Sequence, residues 1–177
     1  MEIYIEKLKE QDAEELFAFE CYNRAFFEKM VPNRGEDYYV YETFQHKHDE
    51  LLKEQKEGIS YFYLIRNMEK TIVGRINLVD IEKDRRLGYL GYRVGKNFVG
   101  KGIATKAVQL LLIQAAKNQI TEIHAKTTNN NIASQIVLKK SGFSQTAIDK
   151  KVIELNDQKV NFIHYVWKHT KILQKKF

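Results

Sequence analysis

The feature that most constrains this chain is a concentration of glycine between Gly88 and Gly102, where five of its nine glycines lie. Glycine destabilises regular structure, so such a cluster points to backbone conformations or close approaches that side chains would prevent. The cluster ends where a predicted strand at 86–94 gives way to a predicted helix at 103–117. Amides at a helix N-terminus lack intrahelical acceptors and carry partial positive charge, which suits phosphate. With Lys101 nearby, the segment predicts a diphosphate site built mainly from backbone; the alternative is a tight loop that only needs positive φ.

Two well-known phosphate-loop motifs fit this segment poorly. Gly95, Gly100 and Lys101 have the spacing of G-x-x-x-x-G-K. However, Gly102 occupies the position where that motif needs a Ser or Thr for Mg²⁺. Gly100 and Gly102 also match the start of the dinucleotide fingerprint G-x-G-x-x-G, but Thr105 fills its third glycine position. The segment lies past the midpoint of the chain, which leaves room for only half of a doubly wound sheet, so neither motif is favoured.

The first third of the chain predicts one strand followed by helices. Apolar and charged residues alternate over 2–7, which predicts the strand. Asp12 and Glu15 have the spacing of a capping box and predict the start of the first helix. A second helical stretch extends to about Met30, and a further helix is predicted over 36–57. The helix breakers between them are Pro32 and Gly35.

The remaining two thirds alternate between strands and helices. Aromatic and β-branched runs, or apolar residues at helical spacing, identify each segment. The predicted strands cover 59–66, 71–80, 86–94, 121–128, 144–153 and 159–168. The predicted helices cover 103–117 and 132–142. This order predicts a single α/β domain with a mixed sheet flanked by helices, in which 86–94 and 121–128 are parallel because a helix connects them.

Composition excludes several classes of protein. With Cys21 as its one cysteine, the chain has no intrachain disulfide and no cysteine-based zinc site, and a reducing, cytoplasmic location fits it. We expect no membrane span and no signal peptide, because no apolar run is long enough. His46 and His48 are two apart on a predicted helix and face different ways, so no metal site is expected. The net charge of +6 weakly favours an anionic partner but is far from that of a dedicated nucleic-acid binder.

The glycine cluster resembles the acetyl-CoA pyrophosphate loop of the GCN5-related N-acetyltransferases, the GNAT family. The matching residues are Asn97-x-x-Gly100-x-Gly102, and the strand before them is similar over Leu90-Gly91-Tyr92-Arg93-Val94. A second match follows in the family's order: Asn131-Ile132-Ala133-Ser134 resembles its later Asn-x-x-Ser helix, which runs on to Ser141-Gly142-Phe143. The resemblance covers nearly the whole chain. It is strongest to the branch that acetylates N-termini of ribosomal proteins and, in some members, small amines.

The resemblance implies a fold and an activity. The fold is a single N-acetyltransferase domain over 1–170, with a mixed, mostly antiparallel sheet of about seven strands that is splayed in the middle and flanked by helices. A basic tail follows at 171–177. The activity is acetyl transfer from acetyl-CoA, the cosubstrate, to a primary amine. The expected partners are therefore acetyl-CoA and an amine acceptor, without a membrane or sequence-specific nucleic acid, and the protein is expected to be a monomer or a homodimer.

The resemblance also implies roles for individual residues. The main chain of Tyr92 and Val94 would pair with the pantetheine arm in the splay, and an amide there would polarise the thioester carbonyl. Asn131 would contact the cofactor through its side-chain amide. Ser134 would act as the catalytic acid that protonates the leaving thiolate. Val99 would contact the cofactor. The pyrophosphate would lie on the loop and helix start formed by Gly100, Lys101, Gly102, Ile103, Ala104 and Thr105.

Two positions depart from the family's pattern. Asn97 replaces the usual Gln or Arg, which weakens one phosphate contact. Tyr89 stands where many relatives carry an acid that acts as the base. Asp80, Glu82 and Asp84 follow the preceding strand and are candidates to act through water. A neutral amine, however, needs only solvent as its proton acceptor.

The expected acceptor is the α-amine of a protein N-terminus, such as that of a ribosomal protein. An α-amine has an ordinary pKa near ~8, so part of it is neutral at pH 7, whereas a polyamine nitrogen near ~10.4 needs a stronger base. One alternative is the acetylation of a small amine, either a polyamine or an aminoglycoside. Another, which the missing acid at Tyr89 favours, is a non-catalytic acyl-CoA sensor.

Overall fold

The computed structural model describes residues 1–31 and 34–169. Its strands are β1 (Ile3–Lys7), β2 (Tyr61–Asn67), β3 (Ile72–Glu82), β4 (Leu87–Val94), β5 (Glu122–Thr128), β6 (Ser144–Ile148), β7 (Ile153–Leu155), β8 (Gln158–Val160) and β9 (Phe162–Lys168). Its helices are α1 (Ala13–Phe27), α2 (Tyr41–Glu57), α3 (Ile103–Lys117) and α4 (Ile132–Lys140). None of the helices in these ranges is long and apolar enough to cross a membrane. The predicted breaker Pro32 and the predicted tail at 171–177 lie outside the described residues.

A single twisted layer of strands organises the fold. In the described part of the chain, seven strands form one sheet in the order β1-β2-β3-β4-β5-β9-β6, and β7 and β8 form a separate hairpin. Neighbours in the sheet are antiparallel except β4 and β5, which α3 connects as a parallel pair. The predicted fold class, a mixed and mostly antiparallel sheet flanked by helices, is confirmed.

Helices cover both faces of the sheet, so its central strands are buried on both sides. Leu64 of β2 belongs to the apolar cluster that contains Leu16 of α1 and Phe44 of α2. Ile65, the next residue, points the other way and belongs to the larger cluster with Leu111 of α3. A strand buried on both faces is apolar at nearly every position, which explains the aromatic and β-branched run of β2.

The helical first third differs from the prediction in two ways. One unbroken helix, α1 from Ala13 to Phe27, replaces the two predicted helical stretches. Asp12 precedes this helix but its side chain does not cap it. Its carboxylate instead accepts hydrogen bonds from Lys9 N at 2.8 Å and from Arg66 Nη2 at 2.9 Å. Arg66 is buried, and leaving a buried guanidinium without a carboxylate costs more than leaving a helix end without a side-chain cap.

The C-terminal strands are shorter than predicted. β6 ends at Ile148, and the β7–β8 hairpin interrupts the region that the sequence pattern assigns to two long strands. Asn156 and Asp157 adopt positive φ values of 51° and 60°, the conformation of a two-residue hairpin turn that short polar side chains tolerate. The hairpin matters for function because β7 contributes to a cavity near the centre of the sheet.

Candidate active site

The sheet opens between β4 and β5. Among the described residues, the two strands pair only over Leu87–Tyr89 of β4, and the rest of β4 pairs with β3 alone. Gly95 N donates to Val73 O at 2.9 Å, just past the end of β4. Because hydrogen-bonded positions alternate along an antiparallel strand, Tyr92 and Val94 turn their amide and carbonyl groups into the gap. The splay that the resemblance implies is therefore present, with both expected main-chain sites on its edge.

A cavity of about 400 Å³ lies against this gap, beside the N-termini of α3 and α4; it is named here the glycine-loop cavity. Every predicted site residue except Lys101 lines it, namely Tyr92, Val94, Val99, Gly100, Gly102, Ile103, Ala104, Thr105, Asn131 and Ser134. Its other lining residues are Phe27, Met30, Val31, Arg93, Phe98, Ala133, Ile136, Val137 and Lys140. Two separate sequence motifs thus meet at one cavity.

The glycine loop has the geometry of an anion cradle. Gly100 and Gly102 both have a φ of +75°, and a Cβ added to either would meet no atom within 4 Å. Gly102 is the N-cap of α3, and no side chain caps the helix start. The first amides of α3 therefore remain open to the cavity at the positive end of the helix dipole. Positive φ explains the choice of glycine, and the open space above both α-carbons additionally fits a bound pyrophosphate.

Two side chains of the loop turn away from the cavity. Lys101 Nζ donates to Asn97 O at 2.9 Å and lies 5.7 Å from the centroid of the Phe98 ring. Asn97 Nδ2 donates to Tyr22 Oη at 3.1 Å. Neither Lys101 nor Asn97 lines the cavity. In this conformation the Lys101 ammonium is not placed for the predicted phosphate contact.

The side chain of Tyr92 meets the predicted catalytic acid. Tyr92 Oη lies 3.0 Å from Ser134 Oγ and 3.5 Å from Ser134 O. Burial raises the pKa of Tyr92 to about 12, while the hydrogen bond with Ser134 acts in the opposite direction. The phenol therefore keeps its proton at neutral pH, and the two hydroxyls form a donor chain at the cavity wall. The sequence predicts only a main-chain role for Tyr92, because strand position does not show which helix its side chain meets.

Asn131 sets the position of Ser134. Its Oδ1 accepts a hydrogen bond from Ser134 N at 3.1 Å, which caps the start of α4. Because this oxygen is already used, the side-chain Nδ2 of Asn131 is the group that remains for a ligand. The predicted contact through the side-chain amide is compatible with this arrangement, since Asn131 lines the glycine-loop cavity.

A second cavity, of about 270 Å³, opens on the other side of the gap and is named here the arginine cavity. It meets the glycine-loop cavity at residues that line both, including Tyr92, Arg93, Asn131 and Ser134. Its cationic lining residues are Arg34, Arg75, Arg93 and Lys126. The described neutral lining residues include Asn77, Gly91, Thr127, Thr128, Ile153 and Leu155.

Glu20 of α1 holds two of these arginines in place. Arg75 and Arg93 lie opposite each other on β3 and β4. Arg75 Nη1 donates to Glu20 Oε1 at 3.1 Å, and Arg93 Nη1 donates to Glu20 Oε2 at 3.0 Å. Glu20 is completely buried. Sequence reasoning missed this cluster, although an arginine inside an apolar strand is a signal in itself, because arginine is almost never buried without a partner.

None of the predicted base candidates lies at the two cavities. Asp80 and Glu82 lie at the C-terminal end of β3 and Asp84 follows it, and none of the three lines either cavity. The Tyr89 ring lies 5.5 Å from the His124 ring, where β4 and β5 are still paired. Of the described residues that line the two cavities, none is a carboxylate or a histidine. This part of the chain therefore places no side chain with the usual pKa of a general base beside Ser134.

Comparison with known proteins gives a consistent result. The family model described as the acetyltransferase (GNAT) domain matches residues 2–144. A relative from Bacillus subtilis (strain 168), the probable N-acetyltransferase YjcK, is 30% identical over 157 residues, which is 87% of this chain and 87% of that protein. The [ribosomal protein uS5]-alanine N-acetyltransferase of Escherichia coli (strain K12) is 25% identical over 159 residues, covering 88% of this chain and 82% of that protein.

Solved structures share the fold. The microcin C7 self-immunity acetyltransferase MccE in complex with acetyl-CoA and AMP aligns with a TM-score of 0.81 and 22% identity, covering 95% of this chain and 93% of that one. The family model spans most of the chain, and YjcK is a relative along nearly its full length. The protein therefore belongs to the GNAT family and is an N-acetyltransferase that uses acetyl-CoA as its cosubstrate.

Proposed function

We propose that the protein transfers the acetyl group of acetyl-CoA to the α-amine of a protein N-terminus, such as that of a ribosomal protein. The charge of the arginine cavity carries this proposal: four cationic side chains line it, and no described lining residue is a carboxylate. Polyamines and aminoglycosides are polycations, so like charges would repel them there. An α-amine has an ordinary pKa near ~8. Neighbouring positive charges lower that pKa further and favour the reactive neutral form.

The shape of the acceptor side also favours a chain over a compact amine. A third cavity of about 290 Å³, named here the aromatic cavity, adjoins the arginine cavity at Arg34, Arg75 and Asn77, which line both. Its aromatic lining residues are Tyr38, Phe44 and Phe62. Because they share these residues, the two cavities together would form a path that leads away from the gap in the sheet. An extended peptide whose N-terminus reaches Ser134 would follow this path.

Acetyl-CoA would occupy the glycine-loop cavity. The main-chain amides from Val99 to Thr105 would hold its pyrophosphate at the start of α3. The main chain of Tyr92 and Val94 would hold the pantetheine arm, and an amide there would stabilise the charge that develops on the thioester oxygen. Asn131, which lines this cavity, would contact the same ligand through its Nδ2.

The chain would contribute mainly positioning and electrostatic stabilisation. The amine nitrogen forms its bond to the thioester carbon while the carbon–sulfur bond breaks, and the amine proton leaves to solvent. Ser134 would give a proton to the leaving thiolate and take one from Tyr92, whose hydroxyl lies 3.0 Å away and would be reprotonated by solvent. Arg93, which lines both cavities, would help to keep the amine neutral.

Two further observations support this function. The relative from Escherichia coli carries a name that specifies the alanine of ribosomal protein uS5 as its target. The net charge of +6 is compatible with an acceptor that sits near RNA. We also propose a cytoplasmic location, which the single Cys21 supports.

Side-by-side kinetics test the proposal. The acceptors are peptides with a free N-terminal alanine or serine, the same peptides with blocked N-termini, spermidine, and an aminoglycoside, with detection of released CoA. We expect the highest kcat/KM for the free peptide N-termini and no transfer to the blocked ones. A higher kcat/KM for spermidine or the aminoglycoside would show that the acceptor is a small polyamine-type molecule.

A further inference from the structure

Four cations line the arginine cavity, and among the described residues Glu20 is the one carboxylate that forms an ion pair with any of them. Arg75 and Arg93 share a single carboxylate, that of Glu20. One carboxylate balances one guanidinium, so a positive charge is left beside the gap. Keeping unbalanced charge away from water costs free energy, and a site that retains it is suited to an anionic ligand.

Two cations at the rim add to this excess. The Arg34 guanidinium lies over the Tyr38 ring at 4.7 Å, and the Lys126 ammonium lies over the Phe162 ring at 4.9 Å. Neither Arg34 nor Lys126 forms an ion pair with any residue in the described ranges. Aromatic faces hold a cation in place without neutralising its charge, so both groups remain available to an anion.

The electrostatics of Arg93 show that these arginines repel one another. Burial lowers the pKa of Arg93, Glu20 opposes that effect, and Arg34 and Arg75 lower the pKa further. An anion near Arg93 would relieve this repulsion. Because Arg93 lines both the glycine-loop cavity and the arginine cavity, such an anion would lie close to the place where the acetyl group is transferred. The anion is therefore expected to belong to the acceptor itself.

We propose that the acceptor peptide carries an aspartate or glutamate within its first few residues, and that Arg34, Arg75 and Arg93 bind that carboxylate. This inference rests on the proposed function, since it needs a peptide acceptor, and it names the class of N-terminal sequence. Guanidinium donors match a carboxylate in geometry as well as in charge. Glu20 already orders Arg75 and Arg93, so little conformational entropy is lost when the peptide binds. The exposed Arg34 would contact the carboxylate from the rim.

Three peptides with the same N-terminal alanine test the inference. Their second and third residues are both aspartate, both asparagine or both lysine, and the remainder is neutral. We expect kcat/KM to fall in that order, with the aspartate peptide exceeding the lysine peptide by about tenfold or more. The difference should shrink as ionic strength rises. If kcat/KM is equal for all three peptides, the inference is overturned and the proposed function stands. If none of these peptides and none of the peptides above is acetylated, both the inference and the proposed function are overturned.

A charge reversal at Arg34 tests the residue assignment. Arg34 is exposed and lies outside the buried Glu20 pair, so Arg34→Glu and Arg34→Gln should both fold, which melting temperatures check. We expect the aspartate-to-lysine ratio of kcat/KM to fall by about tenfold or more in Arg34→Glu and by less in Arg34→Gln. Arg85→Glu makes the same charge change at an exposed site outside the three cavities and should keep the original ratio. If both Arg34 variants fold and keep the aspartate-to-lysine ratio of the unchanged protein, the assignment of Arg34 to carboxylate binding is overturned.

Discussion

Tyr92 Oη lies 3.0 Å from Ser134 Oγ, so a hydroxyl of strand β4 meets a hydroxyl of helix α4 where the glycine-loop cavity joins the arginine cavity. The two side chains come from motifs that are 42 residues apart in the chain. The contact therefore lies between the proposed site of the leaving thiolate and the proposed site of the attacking amine. Ser134 is the predicted acid, and Tyr92 is the partner that the fold adds to it.

Replacing Ser134 tests its role as general acid. We expect Ser134→Ala to lower kcat by about 10²–10⁴ with little change in acetyl-CoA affinity, because only the proton donor is lost. Tyr92→Phe should lower kcat by a smaller factor. The double variant should lower kcat by less than the product of the two single-variant factors, because the two hydroxyls act through one another. Ser144→Ala, at an exposed serine of β6, is the control. An unchanged kcat in Ser134→Ala, when chemistry limits the rate, would reduce Ser134 to a packing residue.

Alkaline pH should destabilise the fold through the buried Tyr63 and the half-buried Tyr92. Burial raises the pKa of Tyr63 and of Tyr92 from 10.0 to about 12. The unfolded chain therefore loses these protons at lower pH than the folded one, so their contribution to stability is intact below pH ~10 and is lost as pH rises toward ~12. We expect the melting temperature to drop across this window, and the drop to be shallower in Tyr63→Phe or Tyr92→Phe. The exposed Tyr22, changed to Phe, should keep the original slope; equal slopes in all variants would contradict the prediction.

Acetyl-CoA should stabilise the folded protein through the glycine loop. At a ligand concentration of 100 Kd the gain is about 2.7 kcal/mol, visible as a higher melting temperature. Gly102→Ala should abolish most of that shift, because the new methyl group would occupy the open space above the loop. Gly142→Ala is the matched control: its φ of +87° imposes similar strain, but Gly142 lies outside the cavity. A full acetyl-CoA shift in Gly102→Ala would exclude a phosphate at this position.

Gly91 is a position at which a side chain would block the arginine cavity and leave the glycine-loop cavity open. It lines the arginine cavity but not the glycine-loop cavity, and a Cβ added there would meet no atom within 4 Å. Its φ lies outside the left-handed region, so a side chain is tolerated without backbone strain. We expect Gly91→Leu to raise the KM for the peptide while leaving the melting shift with acetyl-CoA intact, and Gly91→Ala to have a smaller effect. An unchanged peptide KM in Gly91→Leu would place the acceptor elsewhere.

Glu20 should contribute strongly to stability. Gln in its place leaves the buried Arg75 and the half-buried Arg93 without a carboxylate, and breaking a buried ion pair on one side costs about 3–5 kcal/mol. For a chain of this size each kcal/mol lowers the melting temperature by roughly 2–4 °C. Glu14→Gln, at an exposed position of the same helix, should change the melting temperature little. A similarly small change in Glu20→Gln would show that the two arginines are balanced in another way.

The glycine loop could be predicted from the sequence because its cause is local. Positive φ at Gly100 and Gly102, and the start of α3 at Ile103, depend on residues within one short segment. The pairing of β4 with β5 follows in the same way from the helix that links them. A local sequence pattern gives a wrong prediction where a residue distant in the chain competes for the same side chain. Asp12 has the spacing of a capping residue, yet Arg66, 54 residues away in the chain, takes its carboxylate.

The tertiary structure decided which charged residues meet at the arginine cavity. Glu20 is 55 residues from Arg75 and 73 residues from Arg93, so no spacing in the sequence reveals that they form one cluster. The sequence by itself determined a net charge of +6 and a glycine loop at the start of α3. Sheet register set Arg75 opposite Arg93, and the packing of α1 brought Glu20 between them. The physical reason is that electrostatic interactions depend on distance through space, which only the folded chain defines.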